Sequence, residues 1–447
     1  MLNRRMTAFL LAGAMALTLC GGAVFAADPA ADGTAAEEQG AVQTAPVSVS
    51  APAAEKPAAA VKEEPADEQE APAAAVRPDS EGTVSFANLE SRMRENNLTI
   101  LSLEETIQAL ETVDYEDMED TLRDQLNMIA SAQWGMITGM PGLGSMMASS
   151  MDSAYGSLKD TFEDLKDGKI QEDNEALIRQ LKNAQNQLLM AGEDIYTGLL
   201  SLQISDDALT RQSAYLNRTI QELELRYGFG QISALTLQET KAGRTALISG
   251  QDTLRMNMEN LKVQMELMVG ADIAGTIRPQ PLPRVSGKEL ASMNLEKDLE
   301  TARANSYTLF AAQRTLDDAK ETYKDSVKGI NKSEVNPDYV MAKHTLDSAQ
   351  YTYEASIQSF ESGFRTLYLQ VKDCKQILDA AEVALAVERD SYAAAQLKHE
   401  QGTLSHSKLL DAADELATAE EKVETSAINL FSAYNDYRWA VDHGMVN

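Results

Sequence analysis

From Leu177, apolar residues recur at Leu181, Ala184, Leu188, Ala191, Ile195, Leu199 and Leu202, mostly in steps of four and three. That is the period of a coiled-coil seam rather than of a short globular helix. Gln, Asn, Glu, Asp and Lys fill most outward positions. A helix from about Glu172 to Arg226 would be roughly 80 Å long at ~1.5 Å per residue. No compact single-core domain accommodates such a rod, so the chain is expected to be all-α and elongated, a set of helical hairpins.

The prolines say where such rods can lie. Seven of the twelve (Pro29, Pro46, Pro52, Pro57, Pro65, Pro72, Pro78) fall between Ala27 and Ser80, among Ala, Glu, Asp and Val. With few large apolar residues this stretch cannot offset its ordering entropy, and residues 27–83 read as a disordered tether. The others are Pro141, the run Pro279, Pro281 and Pro283, and Pro337. Because proline inside a helix costs ~3 kcal/mol, the intervals between them permit unusually long helices.

Arg4 and Arg5, the apolar run Met6 to Cys20 and small residues around Val24-Phe25-Ala26 read as a secretory signal peptide over residues 1–26. A lipoprotein reading would use Cys20, but Leu19 stands where that processing prefers a small residue. After cleavage Cys374 is the one cysteine left, so no intramolecular disulfide and no cysteine metal site is expected. No apolar run reaches the ~20 residues of a spanning helix. The net charge of −30, from 39 basic and 69 acidic residues, argues against a nucleic-acid partner.

An internal repeat organises the rest. Tyr227-Gly-Phe-Gly-Gln-Ile-Ser-Ala-Leu-Thr-Leu-Gln-Glu239 aligns with His399-Glu-Gln-Gly-Thr-Leu-Ser-His-Ser-Lys-Leu-Leu-Asp411 at an offset of 172, pairing Gly230 with Gly402, Ile232 with Leu404 and Ser233 with Ser405. The pattern is a tight turn between two helices. Glycine takes the left-handed conformation that ends the first, Ile or Leu staples the turn, and serine caps the next. A helical stretch of about forty residues follows each copy and closes at Gly270 or Gly444. Upstream, Arg94-Glu-Asn-Asn-Leu98 aligns with Ala302-Arg-Ala-Asn-Ser306 if Asn97 is set on Asn305, an offset of 208, so the first half carries an insertion. The expected organisation is a first hairpin half over 84–270 with its insertion near 134–151, a crossover linker over 271–290 and a second half over 291–447.

These halves resemble the TolC-type outer-membrane efflux protein family. The resemblance lies in the repeated (Tyr/His)-x-x-Gly-x-(Ile/Leu)-Ser turn, the Leu-and-acid-bearing helix after it and the proline-containing crossover. It covers roughly Phe86 to Gly444 and is strongest over Arg226 to Gly270 and Lys398 to Gly444. It implies a homotrimer with a helical barrel, a periplasmic-adaptor-type partner, an inner-membrane pump and a place in the cell envelope. Carried over, the partner-binding tips are Tyr227, Phe229, Gly230, Gln231, Ile232 and Ser233 in the first half and Gly402, Thr403, Leu404 and Ser405 in the second; the alternative is that these residues simply turn the chain. One departure stands out. A membrane strand needs about nine to eleven alternating residues, yet Val327 to Tyr339 is broken by Gly329 and Pro337, and Gly135 to Met151 does not alternate. The expected fold is therefore a tandem helical-hairpin coiled coil, a TolC-like α-barrel protomer with little or no β-barrel. Trp134 to Met151 has no charged residue and suits contact with a membrane or another subunit, or a plain hairpin tip.

No chemistry of catalysis emerges. His344, His399, His406 and His443 are the only histidines; His399 and His406 stand seven apart across a turn and are expected to face solvent. No phosphate loop, Ser-His-Asp set or carboxylate pair in an apolar pocket is recognisable, so neither enzymatic activity nor a cofactor is expected. Two functions remain: an efflux or secretion conduit, or an exported coiled-coil scaffold that transports nothing.

Overall fold

The structure, a computed structural model, describes residues 79–80, 82–139, 151–329, 332–333 and 335–446. The expected signal peptide, almost all of the expected tether and the middle of the expected insertion (140–150) lie outside the described residues. Those described fold as β1 (Thr83–Val84), α1 (Phe86–Asn96), α2 (Leu98–Glu111), α3 (Tyr115–Gly139), α4 (Asp152–Lys166), α5 (Lys169–Gly228), α6 (Ala234–Met268), β2 (Arg278–Pro279), α7 (Gly287–Ser292), α8 (Leu295–Asn305), α9 (Tyr307–Ser326), α10 (Pro337–Glu400) and α11 (His406–His443). The all-α hairpin expectation holds. The single sheet among the described residues is the two-residue parallel pairing of Thr83 with Arg278 and Val84 with Pro279.

Helix α5 runs 60 residues and α10 runs 64. α5 packs on α6, α10 on α11, and α11 on α5, so α5 and α11 lie in the middle of a four-helix layer with α6 and α10 at its edges. Arg218 pairs with Asp414, Arg211 with Glu421, and Glu193 accepts from the Trp439 indole, so each step along α5 is matched by an equal step back along α11. Extending that antiparallel register sets Gly230 against Gly402, and both turns lie at one end of the layer.

The seam along α5 is only part of what this helix buries. Leu199 is fully covered, while Leu177, Leu181, Ala184, Leu188, Ala191, Ile195 and Leu202 are half-buried. The deepest line is Gln185, Leu189, Gly192, Glu193 and Tyr196, covered by α1 and α2 as well as by α11. At Gly192 an added Cβ would run into the Met93 side chain of α1. One core gathers Leu89, Met93, Leu189, Tyr196, Met265 and Trp439, and a second gathers Phe360, Phe364, Val371, Leu430 and Tyr437 along α10 and α11.

The halves begin alike but not at the expected register. α1 and α8 are each 11 residues long, and Phe86 corresponds to Leu295 as Asn96 does to Asn305, an offset of 209. The residue equivalent to Asn97 is therefore Ser306. The sequence alignment slips by one because the work of a single asparagine in the first half is divided in the second. Asn97 accepts from the Thr99 and Ile100 N–H groups at 3.0 and 3.1 Å and donates through Nδ2 to the Met268 carbonyl at 3.2 Å. In the second half Ser306 caps α9 by accepting from Leu309 N–H, and Asn305 Nδ2 donates to the carbonyls of Val441 and Asp442. Each amide ties a helix joint to the far end of the returning helix, whose carbonyls would otherwise be orphaned.

Local sequence explains the remaining ends. Asn336 accepts from Asp338 N–H and Pro337 is the first residue of α10, where its missing N–H and fixed φ suit a helix start. The proline that breaks a strand pattern is thus a helix signal. The crossover packs β2 beside β1, and the buried Tyr196 hydroxyl donates to the Gln280 carbonyl at 2.6 Å; burial pushes its pKa up to about 12. Ser286 and Glu289 form a reciprocal capping box on α7. At the front edge Asp79, in the last stretch of the expected tether, accepts from Ser85 N–H, Asn88 and Arg92.

Candidate functional site

The two turns are built by the same hydrogen bonds. In the first, Gly230 N–H donates to the Tyr227 carbonyl and Gln231 N–H to the Arg226 carbonyl, both at 2.9 Å. In the second, Gly402 N–H donates to His399 and Thr403 N–H to Lys398, again both at 2.9 Å. This is the Schellman motif, and it requires a left-handed residue, supplied by Gly230 (φ +69°) and Gly402 (φ +72°). Ser233 caps α6 by accepting from Thr236 N–H at 3.1 Å, and Ser405 caps α11 by accepting from Lys408 N–H at 3.4 Å. Ile232 and Leu404 are half-buried under the turns, as a staple should be.

The surfaces differ where the backbones agree. Around the first turn Phe229 is 78% exposed, Leu225 67%, Leu235 63% and Tyr227 47%. The second shows a single large exposed apolar side chain within six residues of its glycine, Leu397. It is braced by polar bonds instead: Thr403 Oγ1 donates to the Lys398 carbonyl at 2.8 Å, and His399 Nδ1 lies 2.9 Å from the Leu404 carbonyl. Asp411, 3.1 Å from the Lys408 ammonium, holds that lysine above its ordinary pKa. Charge around the first turn is largely internal, with Arg226 on Glu222 and Lys241 2.7 Å from Glu224.

The structure thus gathers all ten sequence-predicted tip residues at one end, in two groups of unlike chemistry. Sequence reading misses Leu225 and Leu235. Their apolar character alone assigns them to a seam, and only the placement of the neighbouring helix leaves them outside it. It also separates His399 from His406, whose rings lie 5.7 Å apart across the turn. His443 is half-buried at the far end, its ring 4.7 Å from that of Trp439 and its Nδ1 3.2 Å from Asn186 Nδ2; burial pulls its pKa down.

That far end holds the buried carboxylates. Glu193 accepts from Asn435 Nδ2 at 2.6 Å and Trp439 Nε1 at 2.5 Å, a clamp between α5 and α11, and burial pushes its pKa up. Burial, then the charges of Asp194 and Glu193, raise Asp436 to about 6. Glu266 behaves oppositely. Only 1% exposed, it is pushed up by burial, but N–H donors from Ala274, Gly275, Thr276 and Ile277 outweigh that and hold it below the ordinary carboxylate range. Glu193 fastens two helices and Glu266 a loop. Among the described residues no group of three or more His, Cys, Asp or Glu side chains is arranged to hold a metal ion, and no helix is long and apolar enough to cross a membrane.

Two tandem hairpins with matching turns and a proline-bearing crossover are the layout that the TolC-type resemblance implies. Solved structures similar in fold include the CmeC outer membrane channel of Campylobacter jejuni (15% identity, 65% of this chain and 69% of that one, TM-score 0.41). They also include a membrane protein from Pseudomonas aeruginosa (13% identity, 79% and 89%, TM-score 0.48) and the outer membrane protein VceC of Vibrio cholerae (11% identity, 80% and 95%, TM-score 0.42). At these identities the likeness is one of fold. No protein-family model and no curated protein matches the chain.

Proposed function

We propose that this chain is one protomer of a cell-envelope efflux or secretion conduit, assembled as a ring of copies through α6 and α10 and docking an adaptor of an inner-membrane pump at its turns. The reading rests on the apolar side chains left exposed along the two outer helices of the four-helix layer. α10 leaves Leu369, Val383 and Leu397 exposed at multiples of seven residues, with Val387 beside them, while its buried seam of Phe364, Val371, Leu378 and Leu385 faces inward at the same period. α6 exposes Leu235, Ile248 and Met256. A second apolar line in step with the first, here at every other heptad with Gln376 and Asp390 between, suits a helix with a second neighbour, and burying each Val or Leu contributes about 1.5–3 kcal/mol. The two edges are different helices, so a contact of α6 on the α10 of the next copy is heterologous, the kind that builds a ring when its rotation closes. The resemblance implies three copies, with the exposed Phe229 group as the adaptor face.

Sedimentation equilibrium of the exported protein tests the assembly. Three copies are expected, and Val383→Lys with Val387→Lys should give monomers with unchanged helix content. A wild-type monomer would leave nothing to conduct. The second reading, an exported scaffold, is favoured by one observation: among the described residues of Val327 to Tyr339, where barrel strands were sought, no strand forms, and α10 already begins at Pro337.

A further inference from the structure

Beyond the joints at Asn97 and Ser306, α2 packs on α5, α5 on α9 and α9 on α10. The contact of α9 on α5 joins the two halves through long side chains. The Arg179 guanidinium lies 4.4 Å from the Phe310 ring centre, Arg314 pairs with Asp173 and donates to the Glu172 carbonyl at 3.4 Å, and Lys169 is 3.2 Å from Glu321. α9 corresponds to α2 at the offset of 209 that relates α8 to α1, and α10 corresponds to α5 at the offset of 172 that relates the turns. The second offset still holds mid-helix, where buried Gly192 and Leu199 match buried Phe364 and Val371. Moved by these offsets, the contact of α9 on α5 becomes one of α2 on α10, which α5 and α9 separate within a copy. Phe310 becomes Leu101 and its neighbour Tyr307 becomes Leu98; Arg179 becomes Tyr351 and Lys169 becomes Met341. All four are open to solvent, Leu98 82%, Tyr351 69%, Met341 67% and Leu101 37% exposed. Arg314 becomes Glu105, and Glu172 and Asp173 become His344 and Thr345, so partners able to hydrogen-bond are kept. A solvated side carries charge, as α5 does at Lys169, Glu172, Asp173 and Arg179; this side of α10 exposes Met341, His344, Thr345, Ser348, Tyr351 and Thr352.

We infer that α2 of one copy seats on the first third of α10 of the next, with Leu98 and Leu101 against Tyr351 and with Glu105 beside His344 and Thr345. This rests on the ring proposed above and extends its closure past the joints, where α6 no longer reaches. The occupant is a second copy because the chain carries both surfaces, one at each edge, in the register its own halves use. The same translation accounts for the exposed Val383, which stands where Arg211 meets Glu421 of α11. The copy-to-copy contact is mostly apolar where the in-chain one is bridged by charge, so raised salt loosens α9 from α5 and spares α2 on α10.

The test is cross-linking by a short bismaleimide of the full exported chain carrying Leu101→Cys and Tyr351→Cys in a Cys374→Ser background, beside sedimentation equilibrium of the same protein. The expected result is copies linked to one another by the double variant, at low and high salt alike, and by neither single-cysteine variant. Tyr351→Lys should raise the dissociation constant of the assembly about tenfold or more, and adding Leu101→Glu should recover most of that loss, a rescue that a misfolded variant cannot give. An assembled protein in which the double variant links no copies, or in which Leu101→Glu recovers nothing, overturns this contact and leaves the ring standing. A monomer in sedimentation overturns the ring and the contact together.

Discussion

The first and second turns of this chain have the same main chain and opposite faces. Both close a Schellman motif on a left-handed glycine, and both start the next helix on a serine. One presents Phe229, Tyr227, Leu225 and Leu235; the other presents threonine, histidine and lysine. The repeat preserves what reverses a helix, which is backbone geometry, and lets the surface diverge. Function at this end must therefore be read from the side chains of each turn separately, since shared geometry alone explains chain reversal and nothing more.

The largest effect separates the turning glycines from the closing ones. Gly230, Gly402, Gly270 and Gly444 all have positive φ, so alanine costs about 1–2 kcal/mol at each. At Gly230 and Gly402 nothing lies within 4 Å of an added Cβ. At Gly270 it would sit 2.7 Å from the Asn96 carbonyl oxygen, and at Gly444 2.7 Å from that of Ala302 and inside the Ser306 backbone. Gly444→Ala should therefore cost more than about 3 kcal/mol in urea unfolding, and Gly402→Ala only the conformational part. Equal losses would mean that the closing joints can shift apart.

Next in size is the difference between the two faces. If an adaptor docks on the first turn, Phe229→Ser should weaken binding by about 2 kcal/mol, near thirtyfold, as loss of a buried aromatic anchor does. Thr403→Ala, on the polar turn, should change it little. Titration of a purified adaptor against both variants decides the matter, and a larger loss from Thr403→Ala would reverse the assignment.

A smaller effect distinguishes how the halves close. The first half clamps its closing loop through Glu266, whose pKa is lowered on folding. Its contribution is complete above the ordinary glutamate value of about 4.3 and is lost as pH falls through the lower folded value. Glu266→Gln should cost about 1–3 kcal/mol at neutral pH and remove that acid dependence. Glu193 has the opposite sign. Its raised pKa means that the charged form is penalised above the folded value, so Glu193→Gln should leave stability unchanged or raise it.

Much of this was legible from periodicity and turn chemistry. Gly230, Ser233, Gly402 and Ser405 announce their turns because only a few residue types can adopt a left-handed cap or accept from a helix N-terminus. The seam from Leu177 to Leu202 announces the rod but not its depth, because periodicity shows that a face is buried and not how many helices cover it. Gln185 and Glu193 stay hidden in sequence for that reason: each is polar, and each is buried because its partners come from another helix. The one-residue slip at Asn97 is a limit of a different kind. Alignment follows residue identity, while the joint needs an amide donor and a cap acceptor, which Asn305 and Ser306 supply together.

The smallest effect concerns the caps. Ser233 accepts from Thr236 N–H at 3.1 Å and its hydroxyl lies 3.0 Å from that of Thr236, so Ser233→Ala removes both fastenings and should cost about 1 kcal/mol. Ser405 accepts at 3.4 Å, and its turn retains the Thr403 hydroxyl and the His399 ring when the cap is lost. Ser405→Ala should therefore cost about half as much or less. Amide exchange at Thr236 and Lys408, the two capped N–H groups, measures each loss locally. If the second turn opens as readily as the first, its polar braces contribute nothing, and the two turns differ in surface alone.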